Sequence, residues 1–284
     1  MAVTLVSCCR HHHQFLSSFE IANQIPRNRM MSSIRCSSPP FNPVVRPELC
    51  IRVGTQLIPH PKKAAKGGED AFFVSSYNGG VIAVADGVSG WAEKDVDPAQ
   101  FSRELMRKAS SLVEDEEVNY DPRILVRKAH AATSSTGSAT VIISMLDNDG
   151  ILKVANVGDC GLRVIRKGHT RFQHALSSEA VSQTYLDATV TSIDTMKGDI
   201  IVMGSDGLFD NVFDHEILST IAKHNDVMET ALVSMLAKVL ADLAYKHSVD
   251  FYFDSPYSIE ARTRVSVSSR YYQVHVESVG RGNK

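Results

Sequence analysis

The chain has 284 residues, 43% of them hydrophobic and 22% charged, with a formal net charge of -2. This is ordinary for a globular fold with ample core, and the slightly negative balance offers no basic field for a nucleic-acid backbone. No apolar run approaches the roughly 18 to 20 residues that cross a bilayer, so no transmembrane segment is expected.

Residues 1–45 stand apart. The stretch "SCCRHHHQFLSSFEIANQIPRNRMMSSIRCSSPP" is rich in Ser and Arg, with Glu20 as its only acid. It has the composition of an organelle transit peptide and lacks the compact apolar core and small-residue cleavage site of a secretory signal. A disordered, cleaved leader is expected, with an uncleaved disordered tail as the alternative. Cys8, Cys9 and Cys36 fall in this segment, which leaves Cys50 and Cys160 in the body, too few for a disulfide framework or a zinc site. The run His11, His12, His13 is assigned no role.

From Pro47 onward strands and helices come in blocks. "ELCIRVGTQL" alternates, with Leu49, Ile51 and Val53 on one face, and predicts a strand over Leu49–Leu57. Ala71–Ser75 and Val81–Ala85 predict two more strands, joined through the glycine-containing turn "SYNGG". Asp97-Pro98 and Asp121-Pro122 then open two helices, each with a capping carboxylate followed by a proline where no N–H is missed. Phe101, Leu105, Ala109 and Leu112 form the apolar face of the first.

After the loop "SSTGSAT", strands are expected over Thr140–Leu146, Ile151–Val157, Leu162–Arg166 and Ile200–Met203. Two late helices start at Asp214 and Asp226, the second with Asp226 and Glu229 at capping-box spacing and an apolar row of Ala231, Met235, Val239 and Leu243. The pattern reads as α+β with mainly antiparallel sheets.

Four stretches bring acids to turns beside strands: "GGEDAFF" with Glu69 and Asp70, "AVADGVSG" with Asp86, "VGDCG" with Asp159, and "GSDGLFDN" with Asp206 and Asp210. A carboxylate ending a buried strand is costly unless its charge is compensated. Carboxylates with a nearby backbone carbonyl suit hard cations such as Mg²⁺ or Mn²⁺, and two such ions sharing Asp86 could prime a water to attack phosphorus. Any one of these acids alone is more often a turn residue or helix cap than a ligand; it is the fourfold coincidence that points to a metal centre.

In order along the chain, "GGEDAFF", "VADGVSGWAE", "TGSAT", "VANVGDCGLRVI" and "IVMGSDGLFDNV" resemble the motifs of the PP2C-type metal-dependent protein serine/threonine phosphatases, over about Pro47 to Ser248. The branch they most resemble is the plant chloroplast one related to the photosystem II core phosphatase. The resemblance implies an αββα sandwich, two antiparallel sheets flanked by helix pairs, occupying residues 46–262 behind a chloroplast transit peptide over 1–45. It further implies hydrolysis of phosphoserine and phosphothreonine at a centre of two Mg²⁺ or Mn²⁺ ions, on phosphorylated proteins such as those of the thylakoid, by a monomer in the stroma. Asp86 and Asp206 would be the catalytic metal-holding acids, with the Gly87 carbonyl and, through water, Glu69 on one ion. Asp159, Asp206 and Asp210 match the acids that hold a weaker third ion.

The chain also departs from the family pattern. Val88 stands where many members carry a proton-donating histidine, so another donor is required. The phosphate-binding arginine is replaced, and Lys66, or else Lys63, is expected to supply the charge without arginine's bidentate fork. The family's C-terminal acid-headed strand is missing: residues 263–284 form an atypical, polar and basic tail, the C-terminal end is incomplete, and no aspartate follows Asp254. The alternative implied is a catalytically impaired domain that binds phosphoproteins or a partner. A phospho-aspartyl route is removed by Val84, which stands where that chemistry needs its nucleophile.

Overall fold

The computed structural model describes residues 2–10, 49–173, 188–224 and 230–264. In chain order the strands are β1 (Ala2–Arg10), β2 (Leu49–Leu57), β3 (Asp70–Ser75), β4 (Val81–Gly87), β5 (Ala139–Leu146), β6 (Ile151–Val157), β7 (Gly161–Arg166), β8 (His169–Gln173), β9 (Thr189–Asp194) and β10 (Ile200–Gly204). The helices are α1 (Pro98–Leu112), α2 (Pro122–Ala132), α3 (Asp206–Phe209), α4 (Asp214–Ala222), α5 (Thr230–Ser248) and α6 (256–264). No helix among the described residues is long and apolar enough to cross a membrane.

Two five-stranded sheets, ordered β2-β1-β10-β7-β8 and β3-β4-β5-β6-β9, are antiparallel at every described pairing. The two-residue period of a strand sorts their side chains into layers. In β4, Val81, Ala83 and Ala85 face α1 and α2, whereas Ile82 and Val84 face the opposing sheet. In β10, Ile201 and Met203 face the inter-sheet core and Ile200 and Val202 face α4 and α5. The result is the expected α+β sandwich of helices, sheet, sheet and helices. Both capped starts form as the sequence predicts: Asp97 accepts from the Ala99 N–H, and Asp121 from the Arg123 N–H.

Three expectations need correction. Residues 2–10, expected to be disordered, are paired as β1 between β2 and β10, and Cys8 is buried in the inter-sheet core. The Cys8 N–H donates to the Asp199 carbonyl at 2.9 Å, and the Cys8 carbonyl accepts from Gly198 at 2.9 Å. Cys9 lies in β1 as well, and residues 11–45, with Cys36 and the three histidines, lie outside the described residues.

The second correction concerns α5, where two of the expected core row point outward: Met235 and Val239 are 41% and 36% exposed, while Leu243 of that row packs partly buried against the core. Val233, Leu236, Ala237, Leu240, Ala241 and Ala244 pack inward instead, because small alanines allow the helix to lie close against β1 and β2. Asp226 and Glu229 lie outside the described residues. Finally, β8 and β9 fall where the sequence reading placed no strand, and part of the short segment before β9, residues 174–187, is not described. The atypical tail is described only as far as residue 264, where it ends α6.

Candidate metal centre

The acids come together at one end of the sandwich, because the alternation that buries Ile82 and Val84 between the sheets carries Asp86 to that side too. Asp86 is thus within β4, not in a loop. The β3–β4 register sets Asp70 directly opposite it. From the other sheet, β10 runs through Gly204 and Ser205 into Asp206, the first residue of α3.

A cavity of about 380 Å³ opens here, lined by the acids Glu69, Asp70, Asp86 and Asp206 together with His60, Lys62 and Lys63. Burial, then the charges of Asp70 and Asp206, push the Asp86 carboxyl up from 3.8 to about 9, with a hydrogen bond to Asp206 adding to the rise. Acids from both sheets thus face one cavity.

A second group of acids adjoins Asp206. Asp159, in the turn before β7, is raised by burial and by Asp206. Asp210 is raised to about 7 by burial, then by Asp206, Asp159 and Glu260. Neither lines the cavity, and they reach it through Asp206. Glu260 lies on α6, which is held there by the Tyr257 N–H donating to the Asp210 carbonyl at 3.1 Å.

Gly87 shows why β4 must end in glycine. A Cβ there would lie 2.4 Å from the Pro98 carbonyl oxygen, where the N-terminus of α1 closes on the strand. The same helix pins the loop before β3: Ser102 Oγ donates to the Glu69 carbonyl at 2.5 Å, and the Arg103 guanidinium donates to the carbonyls of Lys66 and Gly68 at 2.7 and 3.1 Å. The Glu69 carboxylate accepts from Ser89 Oγ at 2.7 Å and pairs with the Lys63 ammonium, which also donates to Ser89 Oγ at 2.7 Å. Lys66 is not among the cavity residues; Lys63, its alternative, is, together with Lys62. Val88 is 41% exposed and brings no donor.

Among the described residues no three carboxylate, imidazole or thiol groups converge tightly enough to enclose one ion between them. The donor set nevertheless fits a hard cation that retains water: Mg²⁺ is held by one or two carboxylates plus several waters, and Asp86 and Asp206 supply two whose mutual repulsion a cation relieves. Cys160 is fully buried beside Thr140 Oγ1 at 3.4 Å, with its thiol pushed up by burial, so it contributes neither a soft ligand nor a reactive thiolate.

No protein-family profile matches the chain. Among curated proteins, Probable protein phosphatase 2C 26 of Arabidopsis thaliana is 57% identical over 241 residues, covering 81% of this chain and 78% of the relative. Probable protein phosphatase 2C 1 of Oryza sativa subsp. japonica is 60% identical over 228 residues, covering 76% and 67%. Among solved structures, the X-ray structure of the photosystem II phosphatase PBCP matches with a TM-score of 0.68 and 61% identity, over 74% of this chain and 85% of that chain.

Proposed function

The chain belongs to the protein phosphatase 2C family and is a protein serine/threonine phosphatase, and from that premise we propose that it hydrolyses phosphoserine and phosphothreonine by direct attack of water in the cavity bounded by Asp86 and Asp206. Asp86, Asp206 and the Gly87 carbonyl would hold Mg²⁺ or Mn²⁺, two ions with Asp86 shared between them and Glu69 reached through water. Asp159 and Asp210, with Asp206, would take a weaker third through intervening water. Bound cations lower the pKa of water and offset the charge of the phosphoryl group.

The chain's own residues do the rest. The Asp86–Asp206 pair draws positive charge into the cavity, while Lys62 and Lys63 in the same lining attract the phosphate dianion. Lys63 is held by Glu69 and Ser89, so its charge is placed before substrate arrives. The single observation that supports this reading is the meeting of acids from both sheets with lysines on one cavity.

The similarity to the photosystem II phosphatase supports a chloroplast location and thylakoid phosphoproteins as substrates; the stroma is our own assignment within it. The purified full chain, supplied with Mn²⁺, is expected to release phosphate from a phosphothreonine peptide and from phosphorylated thylakoid membranes, and to stop when a chelator is added. Release from the peptide but not from thylakoids would leave the reaction and remove the location; release from neither would remove both.

A further inference from the structure

We propose that His60 donates a hydrogen bond from Nε2 to the seryl or threonyl oxygen as it leaves phosphorus, a role that rests on the phosphatase reading above. A phosphomonoester of an aliphatic alcohol has a poor leaving group, and charge builds on the ester oxygen as its bond to phosphorus breaks. The water oxygen bonds to phosphorus, the P–O ester bond breaks with its electron pair on the side-chain oxygen, and one proton of the attacking water ends on that oxygen. The imidazole keeps its proton throughout. A donor aimed at a developing oxyanion in a preorganised site acts in the transition state more than in the ground state.

The cavity narrows the choice of donor. Ser248 has its hydroxyl on the Tyr245 carbonyl at 2.8 Å, and Lys63 is engaged by Glu69 and Ser89. Asn211 gives one amide N–H to the Gly207 carbonyl at 2.9 Å. That leaves His60, Lys62, Tyr245 and the second amide N–H of Asn211.

His60 is the one held in a donating form. It caps the 3₁₀ turn Pro61–Lys66, and its Nδ1 accepts the Lys62 N–H at 3.2 Å. An imidazole whose Nδ1 accepts must carry its proton on Nε2, so a neutral ring with a fixed tautomer lines the cavity.

Capping alone would also explain His60, so the test separates the two roles. Serine is a strong N-cap but falls short of the imidazole's reach, so His60→Ser keeps the turn and removes the donor. In the full chain with Mn²⁺, kcat on a phosphothreonine peptide is expected to fall about 100-fold with little change in KM. Turnover of p-nitrophenyl phosphate, whose phenolate leaves readily, should fall no more than about threefold.

Tyr245→Phe should leave the ratio of the two substrates unchanged. If His60→Ser melts early, His60→Asn, another strong cap, is read in the same way. Equal losses on both substrates, or no loss on either, would overturn the role while leaving the phosphatase reading intact. A wild-type chain inactive on both substrates would remove the reading and the role together.

Discussion

Asp70 and Asp86 stand directly opposite one another across the β3–β4 hairpin. Like charges in that relation destabilise a sheet, and burial adds to the cost of ionising Asp86. Fold stability alone does not favour such a pair; a divalent cation does. Replacing Asp86 with Asn should therefore stabilise the cation-free protein by about 1 kcal/mol while lowering Mn²⁺ affinity by more than the roughly 10- to 100-fold cost of an outer-shell change. Urea unfolding in chelator and Mn²⁺ titration check the two halves separately.

The acids also set a pH dependence. Asp86 rises to about 9 and Asp210 to about 7, so the native state holds protons that the unfolded chain releases near pH 3.8. Their contribution to stability is complete below that pH and is lost as pH rises through about 7 and then about 9. Metal-free protein should thus melt at progressively lower temperature between about pH 5 and about pH 9. Glu104 shifts the other way, down to about 2 through its bonds from Ser135 and Ser134, and acts only below this window. Added Mn²⁺ should raise the melting temperature more at high pH than at low, since cation and protons compete for the same carboxylates.

Strand β1 carries a further consequence. It is the only described partner of β2 and supplies one side of β10, so deleting residues 2–10 leaves two unpaired edges inside one sheet. Amide hydrogen exchange in Leu49–Leu57 and Ile200–Gly204 should then quicken sharply while α1 and β4 stay protected. A chain starting at residue 46, as cleavage of the proposed leader would produce, should behave in the same way unless another strand takes the place.

Gly54 lies where β2 meets α5. A Cβ there would come within 2.5 Å of the Ser234 and Val233 backbone, atoms that no rotamer change can move. Gly54→Ala should cost about 1–3 kcal/mol by urea unfolding, by pushing α5 off the sheet.

Much of this arrangement was legible in the residues. β2 and β6 have the predicted bounds, and the Asp-Pro pairs mark both helix starts, because these signals depend on local periodicity and capping. Asp70 was missed as a site residue: only the observed Ser75–Val81 pairing, counted back along the antiparallel hairpin, sets Asp70 opposite Asp86. β8 and β9 escaped notice because they are edge strands whose residues are largely exposed, so no apolar run announces them. The inward face of α5 was hidden by a second apolar row, and only the close approach of Gly54 selects the alanine-rich side. Lys63 and His60 reach the cavity through the 3₁₀ turn, a geometry that spacing from Glu69 does not reveal.

The most direct test is calorimetric titration of Mn²⁺ into the wild-type chain, Asp86→Asn and Asp206→Asn, with phosphate release followed in the same samples. Saturable binding that weakens in both variants, with turnover falling in step, is the predicted result. Mn²⁺ binding and turnover unchanged by both substitutions would contradict the claim that these two acids, one from each sheet, hold the cations of a phosphatase.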